Sequence, residues 1–190
     1  MDIKPYLPLV RRPSRYIGGE INSVKKDLSK VSCTFGLAFP DAYEVGMSHL
    51  GIQILYQILN AHEDIACERV FAPWRDMEAL LRTQGAHLST LESGIALSDL
   101  DILGFSLQYE LSYTNVLNML DLGGIPLLAA DRKDGTAFVI GGGPAVFNPE
   151  PVADFFDAFL LGDGEEAIVE IAGAVMEGRN EVESRNSAVA

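Results

Sequence analysis

Short apolar runs alternate with segments of helical spacing along most of this chain, from Cys33 to about residue 178. Five of the runs have the length and content of buried strands, and they lie near residues 33–39, 67–71, 101–106, 137–141 and 158–161. Strands that alternate with helices need crossover connections, which give a mostly parallel sheet covered on both faces. The sequence therefore predicts an α/β fold, a flavodoxin-like doubly wound parallel sheet of about five strands.

Residue patterns mark several helix boundaries. The helix after the first strand is predicted to begin behind a Ser48 cap, and Pro40–Met47 before it is predicted to be a loop. The apolar positions of this helix are Leu50, Ile54, Leu55, Ile58 and Leu59. A short helix from Asp76 to Thr83 is predicted to end at Gly85, and a later one at Gly123–Gly124.

The distribution of charges, prolines and glycines divides the chain into three parts. Residues 1–30 hold seven basic and three acidic side chains, with prolines and paired glycines but no period, which predicts an extended basic arm. Residues 31–178 form the α/β domain, and residues 179–190 are predicted to be a polar linker or tail. The whole chain carries a net charge of −13, so the body is strongly acidic and repels nucleic-acid phosphate over most of its surface.

Composition excludes several classes of protein. With 48% hydrophobic and 22% charged residues the chain is globular, and no apolar run approaches the roughly 20 residues of a membrane helix. Its first residues lack a secretory signal, which predicts a cytoplasmic protein. Cys33 and Cys67 lie in apolar runs and are expected to be buried free thiols. Two cysteines are too few to hold an iron–sulfur cluster, so we expect no metal in the isolated chain.

The carboxyl ends of the predicted strands collect the candidate binding residues. Ligands of open parallel sheets bind there, because the loops converge and the helix N-termini point to that edge. The alternative is that the glycines and prolines of these loops serve turn geometry alone. The candidate residues are Asp41, Tyr43, Gly46, Ser106, Gln108, Gly141, Gly142, Gly143, Gly162, Gly164 and Glu165.

Common catalytic and nucleotide-binding patterns do not fit. Residues 162–167 match G-x-G-x-x-A, but three acids at that helix N-terminus would repel a pyrophosphate and no strand follows. Asp41 follows the first strand as in a phosphoryl receiver, yet no lysine follows the last one. The histidines at 49, 62 and 87 lie far apart and are predicted to be ordinary helix or turn residues. The chain shows no catalytic motif.

Two stretches carry a family resemblance: "GGGPAVFNPEP" at residues 141–151 and "FFDAFLLGDGEEA" at residues 155–167. Together they resemble the end of the cobalamin-binding-type domain that precedes the catalytic barrel in many radical-SAM proteins. "FPDAYEVGMSHLGIQILYQILN" and "DILGFSLQYELSYTNVLNMLDL" are further similar to the N-terminal region of one uncharacterised branch of that family. The likeness covers about residues 5–178.

The resemblance implies a cobalamin-binding-domain type of flavodoxin-like fold and a longer enzyme. A downstream radical-SAM barrel of the same polypeptide would hold S-adenosylmethionine and a 4Fe-4S cluster through a C-x-x-x-C-x-x-C motif, which this sequence lacks. The implied function is that of an accessory domain that covers the barrel and shapes cofactor or substrate access. One alternative is an RNA- or protein-binding module that uses the basic residues of the arm, which are Arg11, Arg12, Arg15, Lys25 and Lys26. Another is a purely structural spacer, favoured if its own side chains fill the crevice.

Cobalamin itself is a candidate cofactor. The family pattern D-x-H-x-x-G supplies a histidine to cobalt, and the matching residues 41–46 place Tyr43 at that position. The resemblance assigns contacts with the nucleotide tail to Ser106, Gly141 and Gly142. We expect the Tyr43 ring near the lower face of the corrin, and large side chains of the following helix, Leu50, Ile54, Leu55 and Tyr56, to close the tail channel. On these grounds the isolated domain would bind hydroxocobalamin weakly or not at all.

Overall fold

Five parallel strands form one sheet at the centre of the molecule. The structure is a computed structural model that describes the backbone of residues 3–189 and the side chains of residue 3 and residues 5–179. The strands are β1 (Cys33–Phe39), β2 (Ile65–Phe71), β3 (Ile102–Ser106), β4 (Phe138–Gly142) and β5 (Ala158–Leu160). Their spatial order is β2-β1-β3-β4-β5, and every neighbouring pair is parallel. This is the flavodoxin-like strand order, so the predicted fold class is confirmed.

Helices cover both faces of the sheet. They are α1 (Tyr43–Met47), α2 (Leu50–Ala61), α3 (Arg75–Gln84), α4 (Tyr113–Leu122) and α5 (Ala167–Val189). Alternate strand residues point to opposite sides: Phe35 and Leu37 pack with α2 and α5, whereas Leu103 and Phe105 pack with α3 and α4. The molecule therefore has two apolar layers, one on each face of the sheet.

Helix boundaries agree with the sequence except at the start of α2 and at the end of α5. Gly85 ends α3 in the left-handed conformation, and α4 ends at Leu122 just before Gly123, as predicted. The predicted Ser48 cap is wrong, because His49 is the residue before α2 and the Ser48 hydroxyl donates to the Val45 carbonyl at 2.9 Å. The segment predicted as a loop contains the short helix α1, and Ser48 at the end of this helix donates to the Val45 carbonyl within it.

The apolar stripe of α2 is also rotated from the predicted one. Ile52, Tyr56 and Leu59 are its buried residues, whereas Leu50 and Ile54 are exposed. The spacing of apolar residues predicts the helical period of α2 but not which side of the helix is buried. The packing of β1 and β2 decides which side of it turns inward.

The N-terminal arm folds onto its own domain. Instead of a fully extended segment it contains short 3-10 helices at Lys4–Leu9, Pro13–Arg15 and Leu28–Lys30. The Tyr16 hydroxyl accepts a hydrogen bond from the Trp74 amide at 3.0 Å, and Val10 is buried in the α3–α4 layer. At the other end of the chain, α5 continues to Val189, through the segment predicted to be a linker.

A buried ionic cluster ties this arm to the edge strand β2. The Arg69 Nε lies 2.7 Å from a Glu92 oxygen, and its Nη2 lies 3.2 Å from a Glu20 oxygen. The Glu92 side chain is 0% exposed, and the Arg69 guanidinium lies 4.3 Å from the centre of the Tyr56 ring. The Leu91 amide donates to the Arg69 carbonyl at 2.8 Å, so a loop partly covers the free edge of β2.

The two cysteines are free and buried, as predicted. Burial raises the pKa of the Cys33 thiol to about 12 and that of Cys67 well above its usual value. Both are therefore unreactive thiols at neutral pH. Among residues 3–189, no helix combines the length and the apolar content needed to cross a membrane.

Candidate ligand-binding cleft

A cleft of about 420 Å³ opens at the carboxyl ends of the strands. It lies between the sheet and the layer formed by α2 and α5, and its volume is in the range of small-molecule sites. Its walls include Leu37, Ile140 and Leu160 from the strands and Leu55 and Ile168 from the helices. Eight of the residues predicted as binding candidates line it: Ser106, Gln108, Gly141, Gly142, Gly143, Gly162, Gly164 and Glu165.

Glycines on both walls leave this space open. A Cβ placed on Gly142, at the end of β4, would meet no atom closer than the Leu160 Cβ at 4.0 Å. A Cβ on Gly164, on the opposite side, would stand 3.5 Å from Leu160 and from Leu55, which is ordinary contact. Gly51 of α2 also lines the cleft. Side chains at these positions would occupy the space where a ligand can enter.

The polar groups of the cleft are few and lie towards its mouth. The Gln108 amide nitrogen donates to the Ser106 hydroxyl oxygen at 2.8 Å. Asp163 and Glu165 are exposed beside the N-terminus of α5. The lining residues include neither lysine nor arginine. The cleft is thus an apolar slot with neutral hydrogen-bonding groups and acidic residues at its entrance.

His49 is a cleft residue that sequence reasoning missed. It had been treated as an ordinary helix or turn residue, but its ring lines the cleft and lies 5.2 Å from the Phe39 ring. Its Nδ1 is buried and has no hydrogen-bond partner in the described part of the chain. A buried nitrogen without a partner is uncommon in folded proteins. The sequence signal that could have identified His49 as a site residue is its position after the first strand, just before α2.

Three predicted site residues lie outside the cleft, all in the segment after β1. The Tyr43 hydroxyl donates to Glu20 at 2.9 Å, and its ring packs edge-on against Phe71. Burial, and then the hydrogen bond to Glu20, raise the pKa of Tyr43 to about 12, so the phenol stays protonated. Asp41 accepts from the Tyr109 hydroxyl at 2.7 Å, and a Cβ on Gly46 would stand 2.3 Å from the Phe71 ring. Tyr43 and Gly46 thus serve packing between α1, the arm and β2, and Asp41 links the loops after β1 and β3.

Most of the side chains expected to obstruct a ligand therefore lie outside the cleft. Tyr43 turns towards the arm and not towards the cleft mouth, which corrects its predicted place below a corrin. Of the four α2 side chains expected to close the channel, only Leu55 lines the cleft. Leu50 and Ile54 are exposed, and the Tyr56 hydroxyl accepts from the Val24 amide at 2.7 Å.

Within the described residues, no group of three or more histidine, cysteine, aspartate or glutamate side chains could hold a metal ion.

The fold is a doubly wound α/β domain with a cleft at the carboxyl ends of its strands. Residues 51–190 match the family model described as "Radical SAM proteins, N-terminal". The chain belongs to this family of N-terminal domains of radical-SAM proteins, which confirms the resemblance to the N-terminal region of radical-SAM proteins.

One curated relative has a similar sequence. An uncharacterized protein of Methanocaldococcus jannaschii is 25% identical over 131 residues, which are 68% of this chain and 23% of that protein. The chain thus spans less than a quarter of the length of the relative it matches.

Proposed function

We propose that this domain is an accessory module of a radical-SAM iron–sulfur enzyme. In this proposal it covers the catalytic barrel of the same polypeptide, and its cleft shapes the access of a cofactor or substrate. S-adenosylmethionine and the 4Fe-4S cluster belong to the barrel. The observation that carries the proposal is the open cleft at the carboxyl edge, held open by Gly142 and Gly164 on facing walls. A cytoplasmic setting agrees with the two free thiols.

Cobalamin is the cofactor we propose for the cleft. A flat nucleotide base fits a narrow apolar slot with glycines on both walls, and the Ser106 hydroxyl and Gln108 amide can hydrogen-bond to it. Tyr43 would not ligate cobalt, because it lies outside the cleft with its hydroxyl bound to Glu20. The chain's own residues would therefore hold the nucleotide end alone. When bound, the cofactor would supply radical chemistry at its cobalt.

Equilibrium dialysis of hydroxocobalamin against this chain tests the cleft. We expect binding with a shift of the corrin spectrum, and we expect Gly142→Leu to weaken the affinity by about tenfold or more, since the new side chain fills the slot. Gly173→Leu is the matched control, because Gly173 lies on α5 with no atom near its Cβ position and outside the cleft. Absence of binding by the parent chain, or equal affinities of the two variants, would reject cobalamin as the ligand.

The two other hypotheses have less support. Lys26 donates to backbone carbonyls around the end of α2, including that of Asn60 at 3.0 Å, and Arg12 and Arg15 both bind Glu44. Three of the five arm cations are thus engaged within the domain, which reduces the basic surface available to RNA. A structural spacer is disfavoured by a cleft that its own side chains do not fill.

A further inference from the structure

Large apolar side chains are exposed around the mouth of the cleft. Leu50, Leu111, Phe147 and Leu161 are 68%, 86%, 76% and 62% exposed. Each lies in the segment that follows a strand, after β1, β3, β4 and β5 respectively. We call these four residues the carboxyl-edge rim. Trp74 and Tyr109, in loops of the same edge, and Val45, in α1, are exposed as well.

Turn geometry does not explain the rim. Loops at strand ends favour glycine, proline and small polar residues, and a leucine or phenylalanine there gains nothing from exposure to water. Scattered single apolar residues are normal on protein surfaces, but several around one opening mark an interaction surface. The rim therefore points to a macromolecular partner that covers the cleft.

Exposed carboxylates lie beside the rim, and they indicate the charge of the partner's surface. The exposed acids of this edge are Glu110, Glu150, Asp163, Glu165 and Glu166. None of these five forms an ion pair with any residue that the structure describes. A surface that combines exposed apolar and acidic side chains favours a partner with apolar residues facing the rim and lysine or arginine facing the carboxylates.

We propose that the carboxyl-edge rim docks onto the catalytic domain that follows in the same polypeptide, and that this domain's facing surface combines apolar side chains with lysine or arginine. This inference rests on the proposed function and adds the contact residues and the chemistry of the partner. The curated relative extends well beyond the matched 23% of its length, so a long partner segment is available. A second copy of this chain fits less well, because a two-fold contact would bring the same acids together.

Hydrogen–deuterium exchange tests the docking in the full-length protein. We expect amides of residues 109–112, 144–148 and 161–165 to exchange about tenfold or more slowly than in the 190-residue chain alone. The loop at 132–136, near the amino ends of the strands, should exchange equally in both. Raising the salt to about 1 M, where the Debye length is about 3 Å, should reduce the difference.

Two variants of the full-length protein make the assignment specific. Phe147→Asp should remove the slower exchange at the rim, because it places a charge among the apolar side chains of the contact. Ile21→Asp is the control, since Ile21 is fully exposed in the arm and away from the rim. The proposal would be overturned if the rim amides exchanged at equal rates in the full-length protein and in the 190-residue chain. It would also be overturned if slower exchange were confined to residues 132–136, or if both variants had equal effects on rim exchange. Slowing that depends on protein concentration in the chain alone would assign the rim to a second copy instead.

The two proposals can fail separately. Hydroxocobalamin binding is measured on the chain alone, without any catalytic domain, whereas the rim is tested by exchange without any ligand. Loss of cobalamin binding would leave the docking result intact, and unprotected rim amides would leave the cleft result intact.

Discussion

Replacing Arg69 by methionine is expected to reduce the free energy of unfolding by about 3–5 kcal/mol. The guanidinium of Arg69 is the partner of the Glu92 carboxylate, whose side chain is 0% exposed, at 2.7 Å. Without it Glu92 would be a buried charge with only backbone donors, such as the Arg69 amide at 2.7 Å. The arm residue Glu20 would lose its contact with β2 as well. Urea unfolding followed by circular dichroism measures the change.

Arg82→Met is the matched control for this prediction. Arg82 forms ion pairs with Glu78 and Asp121 at 3.0 and 2.8 Å, but its side chain is 46% exposed. Exposed pairs of this kind contribute about 0–1 kcal/mol, so the control should lose little stability. The double variant Arg69→Met, Glu92→Leu should recover part of the loss, because it removes the uncompensated charge. Similar losses for Arg69→Met and Arg82→Met would show that burial of the cluster is energetically unimportant.

The strands were predictable because each is a short apolar run between turn residues. All five predicted runs contain a strand, and β2 begins at Ile65, two residues before the predicted start. Parallel strands buried on both faces need continuous apolar sequence, which is a strong local signal. The rotation of α2 and the folded arm were not predictable in this way. They depend on contacts such as that between Val24 and Tyr56, which are 32 residues apart.

The location of the cleft followed from a rule about parallel sheets, and its detailed lining did not. Loops after β3, β4 and β5 end at the cleft because strand direction alone places them there. In the segment after β1, His49 lines the cleft and Tyr43 does not, since the Tyr43 hydroxyl donates to Glu20 in the arm, 23 residues earlier. His49 was passed over because its relation to Phe39 and to the cleft exists only in the folded chain. Long-range contacts thus decide which of two neighbouring side chains reaches the site.

The second large effect is expected at Gly143. An alanine there should lower the stability of the domain, whereas an alanine at the adjacent Gly142 should not. Gly143 has φ 101° and ψ −177°, a conformation open essentially to glycine alone, and a Cβ there would stand 2.7 Å from the Leu107 carbonyl oxygen. That oxygen accepts from the Ala145 amide at 3.1 Å, so Gly143→Ala would strain the loop and separate the loops after β3 and β4. We expect a loss of about 2–3 kcal/mol, or about 4–10 °C in the melting temperature of a domain this size. Gly142→Ala should leave the melting temperature nearly unchanged, because its Cβ would enter the open cleft. Equal melting temperatures of the two variants in a thermal scan would show that the loop after β4 relaxes freely and that Gly143 does not hold the cleft in shape.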